Sequence, residues 1–383
     1  MRTATAAAML ASLSLVAACA ERTMDPSPAF HPSFTVGVAG LCPASPTFVV
    51  SDEVGLTAAL GAAQPGDVIA LSGLFPVTTD VNITTEGLRL TCADPGAGVF
   101  AQPGGFVSGF VSVLASRVTI DDVVLDASQA FDASGALLDA VDVVEAEHVQ
   151  FLNNTVQCGA LCLFGVLSPG AIIAHNQFEA AGFLTFSGVH LLTGMEGTRI
   201  EGNTIIATAP VAPSPFGAIR VRADSNVVVA DNVVRGPWSN SMAVLALAHS
   251  RVEGNRLEGA RRFGLRLDAS DDNIVHNNRV FGAESGGIFA SQACRNKLIG
   301  NDLNGNGGNI GVIFDATTGA NVMVIPLGST SDVIDDGGNL DCNGDGVGDP
   351  NIITGPGSVR RGAPSALPED PPVVITRRGI QVN

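Results

Sequence analysis

The stretches SRVEGNRLEG (250–259), NIVHNNRVFG (273–282) and KLIGNDLNG (297–305) state one pattern three times, with Asn255, Asn278 and Asn301 at its centre every 23 residues. A fixed short period of this kind marks stacked structural repeats, none of which can bury its apolar face alone. Apolar residues stand three before and two after each Asn: Val252 and Leu257, Val275 and Val280, Leu298 and Leu303. That spacing fits a short strand bending at the Asn and does not fit a helix. A second strand signal lies between the Asn positions, in Gly264-Leu265-Arg266-Leu267, Gly287-Ile288-Phe289-Ala290 and Gly311-Val312-Ile313-Phe314. Two or three strands with sharp turns in so few residues can close only as one rung of a coil. Asn at the bend is expected to take left-handed backbone geometry and to bond the Asn of the next rung.

The repeat resembles the right-handed parallel β-helix of the pectate-lyase-like superfamily. The resemblance implies an all-β, single-stranded solenoid and says little about activity. Less regular rungs extend it backwards through Asn232, Asn203, Asn176 and Asn154 and the run Val118-Thr119-Ile120, with insertions in two of them. The longest, ATAPVAPSPF (207–216), precedes the strand Ala218-Ile219-Arg220-Val221-Arg222, and insertions of this kind collect on one face of a solenoid. Upstream, Ser51 can cap a helix over 52–63, and Pro65-Gly66-Asp67 turns into the strand 68–71. Helix, turn and strand resemble the N-terminal cap of many bacterial β-helices, polysaccharide lyases among them. The coil with its cap is expected over 47–338, a closing segment over 339–354 and an extended tail over 355–383.

The chain carries 20 Lys and Arg against 37 Asp and Glu, a formal charge of −17 that argues against nucleic acid or an anionic membrane surface as partner. Residues 1–18 combine Arg2 with an apolar run too short to span a bilayer, which reads as an export signal. Val16-Ala17-Ala18-Cys19 resembles the lipobox of bacterial lipoproteins. That resemblance implies acylation of Cys19, attachment to the membrane through lipid alone, and, with Ala20 following, an outer-membrane or cell-surface location. The alternative is an ordinary signal peptide cut nearby. Residues 19–46 then form a Pro- and Ala-rich tether, and a monomer is expected. Six further cysteines suit disulfides in an exported chain, with Cys42–Cys92 and Cys158–Cys162 the favoured pairs.

Alternation along the strands places Asp142, Phe164, His190, Arg220, Ala243, Arg266, Phe289 and Ile313 in one outward column. Residues 199–301 hold 12 Arg and Lys against 9 Asp and Glu, a local +3 that leaves −20 for the rest. Arg220 and Arg266 on the floor, with Arg222, Arg261 and Arg262 beside them and Trp238 and Phe216 on the rim, would suit an acidic polysaccharide. Arg pairs with carboxylate or sulfate, and an aromatic face covers a sugar ring. If the protein is an enzyme, β-elimination on a uronate polymer fits best, with Arg220 or Arg222 neutralising the carboxylate and His190 or Arg266 as base. A glycoside hydrolase, using Asp268 and Asp315, is the weaker reading. The competing class is a structural or adhesive envelope protein whose outward arginines only solvate a rung. Finally, Asp341, Asn343, Asp345 and Asp349 alternate with glycines as in a calcium loop and resemble thrombospondin type 3 repeats. The twelfth position is Ile352, not an acid, so a polar turn that closes the coil is the alternative to structural calcium.

Overall fold

The computed structural model describes residue 42 and residues 45–180, 185–207, 217–222 and 224–360, together with the backbone of 373–376 and 379–382. It is a right-handed parallel β-solenoid. One rung shows the plan. Arg251–Glu253 lies in a 13-stranded sheet (A), the chain bends at Asn255, Arg256–Glu258 enters a nine-stranded sheet (B), and Phe263–Asp268 enters a 12-stranded sheet (C) before the next rung begins. Neighbouring rungs pair in parallel, residue for residue: Val252 with Val275 and Val275 with Leu298, Leu257 with Val280, Leu265 with Ile288 and Ile288 with Val312. These inward columns are at most 1% exposed. Each such side chain contributes about 1.5–3 kcal/mol by leaving water, so stability accumulates rung by rung.

The seven asparagines stand in one file. The side-chain amide of each donates to the side-chain oxygen of the next, from Asn154 to Asn176 and on through Asn203, Asn232, Asn255 and Asn278 to Asn301, at 2.9–3.1 Å. The same oxygens accept the backbone N–H of the preceding Asn, for example Asn232 to Asn255 at 3.0 Å. The bend differs from expectation in one respect. The left-handed residue is the one before each ladder Asn, as in Asn153, His175, Asp231 and Asn277 (φ 54–58°), with Gly202, Gly254 and Gly300 filling the other three positions. The ladder Asn points inward and spends its side chain on hydrogen bonds. A second file, unforeseen from the repeat, runs through Asn273, Asn296, Asn321 and Asn351 at the turn from sheet C to sheet A.

At the N-terminal end the helix Glu53–Ala62 is capped by Asp52, not Ser51; the Asp52 carboxylate accepts from Gly55 N at 2.7 Å. Leu56 and Ala59 enter the core, so this end is closed. At the other end the coil passes the expected limit of 338. Ile352–Thr354 pairs with sheet A and Val359–Arg360 with sheet C. Beyond it, Val373–Thr376 pairs antiparallel with Gly379–Val382, where an extended tail was expected. Disulfides join Cys42 to Cys92, Cys158 to Cys162 and Cys294 to Cys342, the last tying the acidic 341–349 loop to a rung. Among the described residues no helix is long and apolar enough to cross a membrane.

Candidate functional site on the outer face of sheet C

Sheet C has the longest strands of the regular rungs, six residues in Gly217–Arg222, Asn240–Leu245 and Phe263–Asp268, so it offers the broadest surface. Its register aligns Asn82, Ser112, Asp142, Phe164, His190, Arg220, Ala243, Arg266, Phe289 and Ile313 on successive strands. The column inferred from alternation is therefore real. The next residue in each central strand, such as Val221 or Leu267, is wholly buried in the core.

His190 and Arg220 meet within this column: a guanidinium N–H (Nη1) of Arg220 lies 3.2 Å from His190 Nε2. Guanidinium can only donate, so Nε2 accepts and the ring proton sits on Nδ1. Burial, then the charges of Arg220 and Arg222, push the His190 imidazole down to about 3, and the ring is neutral at any physiological pH. The role of base expected for His190 would use the lone pair that Arg220 engages here. Its lone pair is occupied, its basicity is low and the residue is fully buried. It instead orients Arg220, itself only 7% exposed and lowered to about 10 by burial, Arg222 and Arg266, hence still charged.

Arg266, two strands or about 10 Å away, makes a 2.5 Å ion pair with Asp268 and lies over the Phe289 ring at 6.0 Å. Arg262 lies over Phe263 at 5.9 Å, and burial followed by repulsion from Arg266 lowers its guanidinium. The turn bearing Arg261 and Arg262 is fixed by their backbone N–H groups, which donate to the carbonyls of Trp238 and Ser239 at 2.8 and 2.9 Å. Arg222 is exposed at the end of its strand. Arg220, Arg222 and Arg266 thus share the outer face of sheet C, where Arg220 feels the charges of Arg222 and Arg266, and Arg262 in the adjoining turn feels that of Arg266.

Trp238 does not join them as a rim aromatic. It is 0% exposed, packs in the core and donates its indole N–H to the Arg235 carbonyl at 3.1 Å. A lone Trp in a turn looks exposed in sequence, yet the apolar gap beneath the turn takes it. Phe263 and Phe289 stack at 4.8 Å under the arginines and are nearly buried. Among the described residues of this face, the aromatic ring that remains accessible is Phe164, half-buried and 5.9 Å from the His190 ring. Phe216 and Cys19 lie outside the described residues, as do the 208–216 part of the insertion, the signal and most of the tether.

Sequence reasoning missed a carboxyl pair. Asp142, in the same column about 10 Å from His190, shares a hydrogen bond with Asp139, whose Oδ1 also accepts from Leu161 N at 3.0 Å. Desolvation, the Asp139 charge and bond, and the charge of Asp80 together hold the Asp142 carboxyl far above the ordinary range. Burial raises Asp139 as well. One proton therefore stays between them at neutral pH. A Cβ at Gly109 would overlap Oδ2 of Asp142, so the close approach needs glycine there. Alternation points Asp142 outward, but Asp139 comes from the preceding turn, and no spacing rule brings it back.

The hydrolase alternative loses its acids to local roles. Asp268 pairs with Arg266, and Asp315 accepts from Thr317 N and Oγ1 at 2.8 and 2.5 Å, closing a turn. In the 341–349 loop, Asp341 accepts backbone N–H groups from Gly344 at 2.6 Å and Gly346 at 2.7 Å, and Asp349 accepts from Cys342. Among the described residues no three His, Cys, Asp or Glu side chains are grouped so as to hold a metal ion.

The family model described as a right handed beta helix region matches residues 188–324. No curated protein matches the chain. Among solved structures it is similar to DFA-IIIase from Arthrobacter chlorophenolicus A6 in complex with GF2, at 17% identity over 80% of this chain and 87% of that one, with a TM-score of 0.55. It is also similar to alginate lyase AlyF-OU02 in complex with G6, at 13% identity over 87% and 89%, with a TM-score of 0.51. At such identities the likeness concerns the fold alone: this chain is a right-handed parallel β-solenoid whose structural neighbours include carbohydrate-active enzymes.

Proposed function

We propose that the protein binds acidic polysaccharide along the outer face of sheet C. The observation that carries this reading is the grouping of Arg220, Arg222 and Arg266 on one face, with Arg262 close by, in a chain whose net charge is −17. Asp268 already balances Arg266, and a bound polyanion would bring the cluster further carboxylate or sulfate partners. Arg220, held by His190, is a preorganised fork for carboxylate or sulfate, and Phe164 offers a ring face to a neighbouring sugar. The alginate lyase among the neighbours supports the fold as a carrier of such a site.

The test is retention of an acidic polysaccharide and its salt dependence. Binding at low salt is expected to fall steeply as the screening length shrinks to about 8–10 Å at physiological ionic strength. Arg220→Ala and Arg266→Ala should each weaken it about tenfold or more, whereas Arg377→Ala in the tail should leave it unchanged. No retention at low salt, or equal loss in the tail variant, would return the protein to the structural or adhesive class.

A second reading, cleavage of the bound polymer, is favoured by the proton held between Asp139 and Asp142 on the same face. A protonated carboxyl at neutral pH is what general-acid assistance to a leaving oxygen requires. Release of unsaturated uronate, followed by absorbance, tests β-elimination, and reducing-end assays test hydrolysis. An inert wild-type protein that still binds leaves the binder.

Lipid anchoring at Cys19 belongs to the same proposal. Cys19→Ser should move the protein from the membrane pellet to the soluble fraction, because acylation supplies the membrane affinity. Retention of the variant in the pellet would show that the Val16–Cys19 motif is accidental.

A further inference from the structure

The capping helix closes the core but leaves a cleft at its side. Between Glu53–Ala62 and the strands Leu74–Val77 of sheet B and Val81–Ile83 of sheet C lies a space of about 260 Å³. That is just below the usual size of a small-molecule site and too small for a folded partner. Its back is apolar: Leu56, Val77 and Val81 line it and are at most 5% exposed. Thr57, Thr79, Asn82 and Thr84 line it as well and are exposed, so hydroxyls and an amide stand at its mouth. A sugar ring has the matching chemistry, with a C–H face that seeks apolar surface and a hydroxyl edge that seeks donors and acceptors.

The charged residues of the lining select the kind of sugar. They are Glu53 and Asp80, with no Lys, Arg or His among the lining residues. Both carboxylates already hold the chain in place. The backbone N–H groups of Thr78 and Thr79 donate to Glu53 at 2.8 and 3.0 Å, and those of Val107 and Ser108 donate to Asp80 at 2.9 and 3.1 Å. An anionic sugar brought here would meet repulsion and find no cationic partner. The cleft opens on the face already described, because Asn82 heads the outward column of sheet C. From it the column runs through Ser112, Asp142, Phe164 and His190 to Arg220, a distance of about 24 Å. We propose that this cleft is a subsite for an uncharged sugar unit. Its place on a polymer whose acidic units meet Arg220 rests on the reading given for sheet C; its own affinity for an uncharged sugar does not.

The experiment follows the methyl resonances of Leu56, Leu60 and Val81 in the full chain while glucose, galactose, mannose, N-acetylglucosamine, fructose and rhamnose are added singly, with glucuronate as the charged control. At least one neutral sugar should shift these methyls, and glucuronate should bind roughly tenfold more weakly than the best of them. A Cβ at Gly61, in the same lining, meets nothing within 4 Å, so Gly61→Leu narrows the cleft without a clash and with a better helix former. It should abolish the shifts, as should Thr57→Leu one helical turn earlier, while Arg220→Ala should leave them unchanged. A response that persists in both leucine variants, that vanishes in Arg220→Ala, or that is as strong with glucuronate overturns the proposal. So does the absence of any response to the six neutral sugars, and if the wild type then still retains acidic polysaccharide, the sheet C reading stands without this subsite.

Discussion

Asp142→Asn is expected to raise the melting temperature by several degrees at pH 8 and to leave it almost unchanged at pH 4. An unfolded-chain carboxyl loses its proton near pH 4, whereas burial, and then the charges of Asp139 and Asp80, make Asp142 in the fold keep its proton well above that range. In between, the folded state binds more protons than the unfolded state, so stability falls as pH rises through the window. Asn cannot ionise, and its amide can donate to Asp139 as the protonated acid does. The gain at pH 8 should be on the order of 2 kcal/mol. His190 works on the other limb. Its depressed value, about 3, means that stability is complete above the ordinary imidazole range and is lost as pH falls from there toward 3. The wild type should therefore show a stability maximum with two sloping sides. Asp142→Asn should flatten only the alkaline side, and thermal melts across pH decide it. A wild-type alkaline limb that is already flat would mean that the pair does not hold a proton. The same variant bears on function. Groups that destabilise a fold are often kept for a site's chemistry, so a more stable Asp142→Asn protein that has lost turnover would mark the pair as catalytic.

Asn255→Ala should destabilise the coil by about 3–5 kcal/mol. Asn255 accepts from the backbone and side-chain amides of Asn232 and donates to the Val229 carbonyl and to Asn278 Oδ1, all in the dry interior. Truncation leaves four polar groups short of a partner and opens a gap the size of an amide at a fully buried position. A surface substitution on the same rung, Glu258→Ala at a half-buried carboxylate paired with Arg235 and Arg256, should cost less than about 1 kcal/mol. Denaturant unfolding of both variants checks the contrast, and equal midpoints would show that the ladder is incidental to stability.

The division between sequence and tertiary structure follows from the range of each interaction. A period of 23 residues with apolar positions around an Asn admits only stacking, because each rung exposes a face that the next must cover. The parallel register, the interior columns and the line of seven Asn were therefore legible before any coordinates. So was the outward column from Asp142 to Ile313, since alternation along a strand is a local rule. What the turns do is not local. Whether Trp238 lies over the outer face or under the turn depends on the space left by neighbouring rungs, and the structure buries it. Asp139 reaches Asp142 only because the turn before that strand folds back. His190 is read in sequence as a base and in the structure as an acceptor for Arg220, since its basicity depends on burial and on two arginines supplied by the next rung. Sequence determined which residues share a face; the packing of one rung on the next decided which of them carry a proton, a charge or nothing at all.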